Sequence, residues 1–574
     1  MSTNPVHIIK MTSTSFLNFE TFRLSSVQIF KAFIEKLVKA KDGKMFVTSP
    51  PKLQNYFFQL FNNEDIFTYK TFPTIVNAEN PYTVIAITNG DPENLEMICS
   101  KFQDCPRLRK ALLVIPKFTE HSKIIMENHR LQIVSEASNF HSSQVYVGEF
   151  PADFIPIEDD FFLMPSTNCF KNIFINHDTL DLYNSARALA KIQYIYGRIP
   201  QVVTVGQQSE RIHRLMCGMM DKVELGKAVA PAISSVLIID RYADLLTPLS
   251  IAQPCEQLYN EYFGINYGII QLGNDLKDLR KLTDNDVIFK DYRYKSLSEA
   301  EIYINGIRPQ EEEKFKKAKT LSEKKEIFSE FQKKLSQKLD LHVKLFAGLI
   351  NLMDFRIYNC SSRIPFGMML RERDTLNYIE KLLANFGDWQ TALRLLIIYQ
   401  LIGYKKGVTK IYNSIQKEIL GEFGQKALEG LMNLDILKLI SSEPFGWDFS
   451  SILTKLNLIN KDSNSDIQQA MYMYFPISVS LAKMLADNEI KEVQSLFPES
   501  LPHIKMTITG EKPELTTDQM RILVFFTGGV SLGEVAFLKN ISHSVFNDKV
   551  QFIIGATNTV DGNGLIKEIC PFLN

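Results

Sequence analysis

The chain has 574 residues, 45% apolar and 22% charged, with 40 Phe, so it exceeds what one hydrophobic core supports and is expected to fold as several domains. Lys plus Arg number 64 against 65 Asp plus Glu, and the net charge of -1 excludes a global field that would hold nucleic acid or an acidic bilayer. The seven cysteines form no C-x-x-C pair and have no His at zinc spacing, so they read as reduced thiols, with no metal or other cofactor expected.

The first thirty residues lack the charged start and apolar run of a signal peptide, which predicts a cytoplasmic protein. Lys44–Thr48, Tyr82–Ile87 and Ala111–Ile115 are predicted strands, with helices at Leu53–Phe61 and Leu95–Phe102 between them. That alternation predicts a parallel sheet covered by helices on both faces. A second α/β set follows, with strands at Val145–Val147 and Val236–Ile239 around a helix from Leu182 to Tyr196.

From Thr247 to Ile459 the pattern is helical almost throughout, and strands return only at Ile522 and at Phe552–Gly555. Two late strands cannot close a sheet alone, so they are expected to complete the earlier α/β domain across a helical insertion. The longest apolar stretch, around Leu395–Tyr399, is too short to cross a bilayer. The polar run Asn460–Asp466 reads as the returning linker.

Within the insertion, Thr320-x-x-Glu323 spells a capping box. Phe328, Phe331, Leu335, Leu339, His342 and Phe346 follow at helical spacing, predicting one apolar face. Lys314 and Lys317 precede this helix, and Lys324, Lys325, Lys333, Lys334 and Lys338 lie on its other face. Such a hairpin is either a solvated structural element or a surface on which a partner helix docks.

Three motifs invite chemistry. Gly529-x-Ser531-x-Gly533 matches a hydrolase nucleophile elbow, yet the only later histidine is His543 and no acid on a later strand precedes it, so the order Ser, acid, His fails. The same strand, turn and helix could cradle phosphate, but Gly533 is followed by Glu534 rather than Lys-Ser/Thr. Asp240-Arg241-x-x-Asp244 follows a strand and could chelate a metal. The simpler account places Arg241 between Asp240 and Asp244 as a network pinning the exit from the sheet.

Asp240-Arg241-x-x-Asp244-x-x-Thr247-Pro248-Leu249 also resembles the D-R-x-x-D-x-x-T-P-L signature of the SM (Sec/Munc, syntaxin-binding) family, and Phe154-x-Pro156-x-Glu158-Asp159-Asp160 its P-L-x-x-D-L-L segment. The segment from Asp178 to Pro200 is similar to the vacuolar protein sorting-associated protein 33 branch of that family. So are Tyr474–Leu481, Phe526-x-Gly528-Gly529-Val530-x-x-x-Glu534 and Thr557-x-x-x-x-Gly562. The resemblance implies a non-enzymatic arch of two Rossmann-like parallel-sheet α/β domains with a large, mostly helical inserted domain. Its parts would be 1–137 (domain 1), 138–245 and 462–574 (domain 2), 246–355 (domain 3a) and 356–461 (domain 3b).

By the same resemblance, the domain 3a hairpin with Lys314, Lys317, Lys324, Lys325, Lys333 and Lys334 would bind Qa- and R-SNARE helices. Domain 3b, through Phe423, Gln425 and Leu428, would dock a vacuolar protein sorting-associated protein 16-like subunit of a HOPS or CORVET tether. Gln425 stands where the family usually has an aromatic, and Ser480 where it has Arg. Asp240, Arg241, Asp244, Gly528, Gly529 and Glu534 are implied to be structural. The protein would reach late endosome and vacuole or lysosome membranes only indirectly, through partners.

Overall fold

A computed structural model of the chain describes residues 19–38, 45–61, 68–69, 83–135, 141–221, 231–250, 254–272, 279–330, 335–353, 379, 381, 383, 388–402, 408–440, 446–459, 474–511 and 519–573. Near the N-terminus six parallel strands lie in the order Thr68–Tyr69, Met45–Thr48, Thr83–Thr88, Arg109–Val114, Gln144–Glu149 and Gln132–Val134. Thr83–Thr88 is buried at every position, as a central strand covered on both faces must be. Helices Pro92–Gln103 and Glu120–Asn128 start where Asp91 and Thr119 accept the free N–H groups of Asn94 and Ser122.

The second sheet has seven strands in the order Met506–Gly510, Gln201–Val205, Ser235–Asp240, Met520–Thr527, Val550–Ala556, Phe161–Leu163 and Ile155–Glu158. The five inner strands are parallel and the two edges antiparallel. The chain leaves this sheet after Asp240, returns first to its edge at Met506–Gly510 and then beside Ser235–Asp240 at Met520, with Ser235 opposite Ile522 and Asp240 opposite Thr527. The expected completion of an early α/β domain by late strands is thus visible as backbone pairing.

The core is nearly continuous. Phe19 and Phe22, at the start of the first described helix, pack on Phe154, Phe162 and Tyr196, joining the N-terminal layer to the second sheet. A smaller cluster under Leu95, Ile98 and Phe102 seals the other face of the first sheet.

Three expectations need correction. Val145–Val147, expected in the second α/β set, lies in strand Gln144–Glu149 of the first sheet, paired with Arg109–Val114. The stretch Thr247 to Ile459 carries a small antiparallel sheet, Ile265–Asn266, Ile269–Gln271 and Leu279–Lys281. Its hairpin turns at Tyr267 and Gly268, both at positive φ, and its strands are too short to show a period of two. Strands also return earlier than expected, at Met506–Gly510.

The apolar face predicted from Phe328 to Phe346 is divided. Leu339, His342 and Phe346 are buried in helix Ser336–Leu352, whereas Phe328 in helix Leu321–Glu330 is exposed. Phe331 lies outside the described residues. Periodicity marks one face across both helices, but the lower half packs on Cys255–Phe263, Val287–Tyr292 and Leu297–Lys317, while the upper half lies beside Leu297–Lys317 and faces water.

Candidate functional site

The glycine turn was the strongest sequence candidate for chemistry. Gly528 and Gly529 adopt φ of +93° and +107°, and a Cβ on Gly528 would lie 2.5 Å from Phe174 Cε2 and 3.0 Å from Arg241 Cβ. Ser531 then caps helix Leu532–Ser544. Its Oγ accepts from Glu534 N at 3.2 Å, while its own N–H donates to Glu534 Oε2 at 2.9 Å. The Ser531 hydroxyl is buried in this box, and His543 stands twelve residues along the same helix, about 18 Å away at the α-helical rise. His543 is exposed and meets Asp548 at 3.0 Å. The Glu534 carboxylate fills the helix N-terminus where a phosphate would sit.

Glu534 carries the centre of the network. Arg241 donates to it through Nη1 at 2.7 Å and Nη2 at 3.1 Å, and Ser478 Oγ donates at 2.5 Å. Asp244 accepts from Thr247 N at 3.1 Å, Thr247 Oγ1 at 2.8 Å and Ser478 N at 3.3 Å, with Arg241 Nη2 at 3.5 Å. Arg241, Asp244 and Glu534 are all buried.

Asp240 is not part of this network, contrary to expectation. Its carboxylate turns to the other side and accepts from Gln208 N at 2.8 Å, Ser209 N at 2.7 Å and Ser209 Oγ at 2.5 Å, at the start of helix Gln207–Met220. Adjacent side chains on a strand point to opposite faces, and Asp240 is the last strand residue before Arg241. Burial pushes the Asp240 carboxyl up to about 7. Asp240 and Asp244 therefore do not converge, and among the described residues no group of three His, Cys, Asp or Glu is placed to hold a metal ion.

The hairpin is built from helices Leu297–Lys317 and Leu321–Glu330, joined by three residues. Each starts at a capping box: Glu299 accepts from Ser296 N at 3.0 Å, and Glu323 accepts from Thr320 N at 3.2 Å. Its root is fixed by Arg308 to Asp340 at 2.8 Å and by His342, whose ring nitrogens meet Tyr292 Oη at 2.9 Å and Asp286 at 3.2 Å.

Three of the four described lysines of the expected rim meet a neighbour within the hairpin. Lys314 pairs with Glu311 at 2.6 Å and Lys317 with Glu313 at 2.7 Å, while the Lys324 ammonium lies 5.6 Å from the Phe315 ring centre. Lys325 is exposed, and Lys333 and Lys334 lie outside the described residues. Sequence reasoning placed Phe328 on an apolar face but missed Phe315 and Leu321: Phe315 is exposed, as are Leu321 at 75% and Phe328 at 58%. Leu321, an apolar residue opening a charged helix, was the available signal.

A second apolar line lies on helix Ala427–Ile436, where Leu428, Met432 and Ile436 are 48%, 63% and 51% exposed at spacings of four. Gln425, just before this helix, is exposed beside it. Phe423 is instead half-buried between Trp389 and Phe572, at centroid distances of 6.4 Å and 5.0 Å, so the structure does not group it with Leu428 on the open face. Ser480 is buried and donates to Leu456 O at 2.7 Å.

Comparison with known proteins agrees with this architecture. The model of the Sec1 family matches residues 56–568. Vacuolar protein sorting-associated protein 33A of Rattus norvegicus is 26% identical over 482 residues, covering 74% of this chain and 77% of the relative. Among solved structures, the SM protein Vps45 in complex with the Qa SNARE Tlg2 superposes with a TM-score of 0.56 at 15% identity, covering 95% of this chain and 97% of that one. The Unc18–syntaxin 1 complex from Monosiga brevicollis gives 0.58 at 14% identity, covering 96% and 99%.

Proposed function

Because the chain belongs to the Sec1 family, we propose that it binds SNAREs in vesicle docking and fusion and works noncovalently, as a template rather than an enzyme. The hairpin of helices Leu297–Lys317 and Leu321–Glu330 would hold Qa- and R-SNARE helices in register. Parallel coiled coils can start out of register, so a surface that binds both helices partly zippered lowers the ordering cost of correct nucleation. The observation that carries this reading is the exposure of three large apolar side chains on the two hairpin helices, Phe315, Leu321 and Phe328, such as an amphipathic helix would cover. In the related structures, SM proteins are seen with SNARE partners: Vps45 with Tlg2 and Unc18 with syntaxin 1.

The vacuolar protein sorting-associated protein 33 relative supports a finer reading, membership of a HOPS- or CORVET-like tether at endosomes and vacuole or lysosome. Leu428, Met432 and Ile436 would dock the vacuolar protein sorting-associated protein 16-like subunit, with Gln425 at the edge. Among the described residues no helix is long and apolar enough to cross a membrane, so partners would supply the membrane address. We divide the chain as 1–150, 151–245 with 462–574, and the inserted 246–355 and 356–461, the first boundary moved from 137 because strand Gln144–Glu149 pairs with Arg109–Val114 in the first sheet. Pairing of Ser235–Asp240 with Met520–Thr527 supports the discontinuous part.

The test is capture of purified Qa- and R-SNARE cytosolic helices by the full chain. Leu321→Asp with Phe328→Asp is expected to abolish capture while leaving the melting temperature unchanged; undiminished capture would reject the hairpin as the template.

A further inference from the structure

Helix Ala427–Ile436 has an inner face as specific as its outer one. Asn433 Nδ2 donates to Ile569 O at 2.8 Å, Tyr242 Oη donates to Leu437 O at the helix end, and Lys171 pairs with Glu429 at 2.8 Å. Between these ties lies Gly430, where a Cβ would stand 2.6 Å from Phe572 Cε1 and 3.0 Å from Cys570 Cα. The Phe572 ring therefore occupies space that any other residue at 430 would claim. The same ring packs on Phe423, Phe423 on Trp389, and Trp389 Nε1 donates to Glu422 at 2.6 Å. One aromatic side chain thus touches both the helix that displays Leu428, Met432 and Ile436 and the end of the preceding helix, Val408–Phe423.

We infer that Phe572 is a positioning residue for that display: its ring, seated against Gly430, sets the height and tilt at which the apolar line meets a partner helix. The inference rests on the reading of that line as a tether-subunit interface. A partner helix with side chains at matching spacing needs the three residues held on one rigid axis, because movement of the axis returns part of the binding energy as ordering cost. The ring meets the helix at its one glycine, so the fit is set by size and is open to compensation.

The experiment measures binding of the C-terminal helical part of a vacuolar protein sorting-associated protein 16-like subunit to the full chain by calorimetry, with Trp389 emission of the unbound chain read alongside in a Trp447→Phe background. Leu428→Asp tests the interface: unchanged binding would reject that reading. Gly430→Ala and Phe572→Ala are each expected to weaken binding by about tenfold, and the double variant to recover to within about threefold of wild type, since coupled neighbours depart from additivity. Trp389 emission is expected to shift in each single variant and return in the double. If Leu428→Asp abolishes binding but the double variant binds no better than Gly430→Ala alone, Phe572 is packing only and the inference is overturned. If no variant binds differently, the Trp389 emission and hydrogen exchange of helix Ala427–Ile436 still decide whether Phe572 governs the helix: no shift in either single variant would overturn it.

Discussion

Arg241 and Glu534, 293 residues apart, form a doubly hydrogen-bonded ion pair buried between the two halves of the second sheet, with Nη1 to Oε2 at 2.7 Å and Nη2 to Oε1 at 3.1 Å. Arg241 follows strand Ser235–Asp240, where the chain leaves the sheet, and Glu534 lies in the helix after its late neighbour Met520–Thr527. The pair therefore closes the sheet across the insertion.

Removing one partner strands a buried charge. Glu534→Gln is expected to cost about 3–5 kcal/mol, whereas the apolar replacement Arg241→Met with Glu534→Leu should cost clearly less than the sum of its singles. Chemical denaturation of wild type, the three single variants and the double variant checks this; additive losses for Arg241→Met and Glu534→Leu would mean that the two side chains are independent.

Gly528 combines positive φ with contact against Phe174 and Arg241. Gly528→Ala should cost about 2 kcal/mol or more from backbone strain alone and displace the Phe174 ring, lowering the melting temperature. Gly218, where a Cβ would meet nothing within 4 Å, is the matched control: Gly218→Ala should be neutral or stabilising.

Two carboxyls tilt stability with pH in opposite directions. Burial alone would raise the Glu158 pKa, but Arg293 at 2.5 Å and Lys539 hold it at about 2. The folded value lies below the unfolded 4.5, so the stability it confers is present above that pH and lost as pH falls towards 2. Asp240, pushed up to about 7 by burial, has its contribution fully present below 3.8 and lost as pH rises through 7. Glu158→Gln should flatten the acid limb and Asp240→Asn the slope between pH 4 and 7 in melting temperature against pH; an unchanged limb in either variant contradicts its assignment.

Charge reversal on the hairpin separates the two chemistries of docking. Lys314 and Lys317 already have acidic partners and Lys324 lies on Phe315, so Lys324→Glu with Lys325→Glu should weaken SNARE-helix binding by no more than about threefold at physiological salt, as expected for screened surface charges. A loss of tenfold or more would return the leading role to the lysines.

The sheets were legible where strands are long and apolar: Val236–Ile239 and Ile522–Phe526 announce themselves, and the helical stretch between them in the chain implied the insertion. Ile265–Asn266 and Ile269–Gln271 were not, because two or three residues cannot display alternation. The capping box at Thr320 is read from spacing alone, since both partners lie within one turn, while the same spacing at Ser531 and Glu534 is passed over for the elbow pattern that overlaps it. The partners of Arg241 could not: Asp240 is its chain neighbour and Glu534 is remote, and only the pleat and the sheet order decide between them. Helical periodicity likewise found the Phe328 and Phe346 face but not which half is buried, because that depends on whether a neighbouring helix reaches it.

The central claim is that one hairpin surface holds two foreign helices side by side. Photo-crosslinkers placed at 321 and at 328 in the full chain, with purified Qa- and R-SNARE helices added together, test it most directly. The account predicts crosslinks to both helices, at positions in the same coiled-coil layer, and loss of both when Phe315 is replaced by Asp. Crosslinks to neither helix, or to the two helices only in mutual competition, would contradict it.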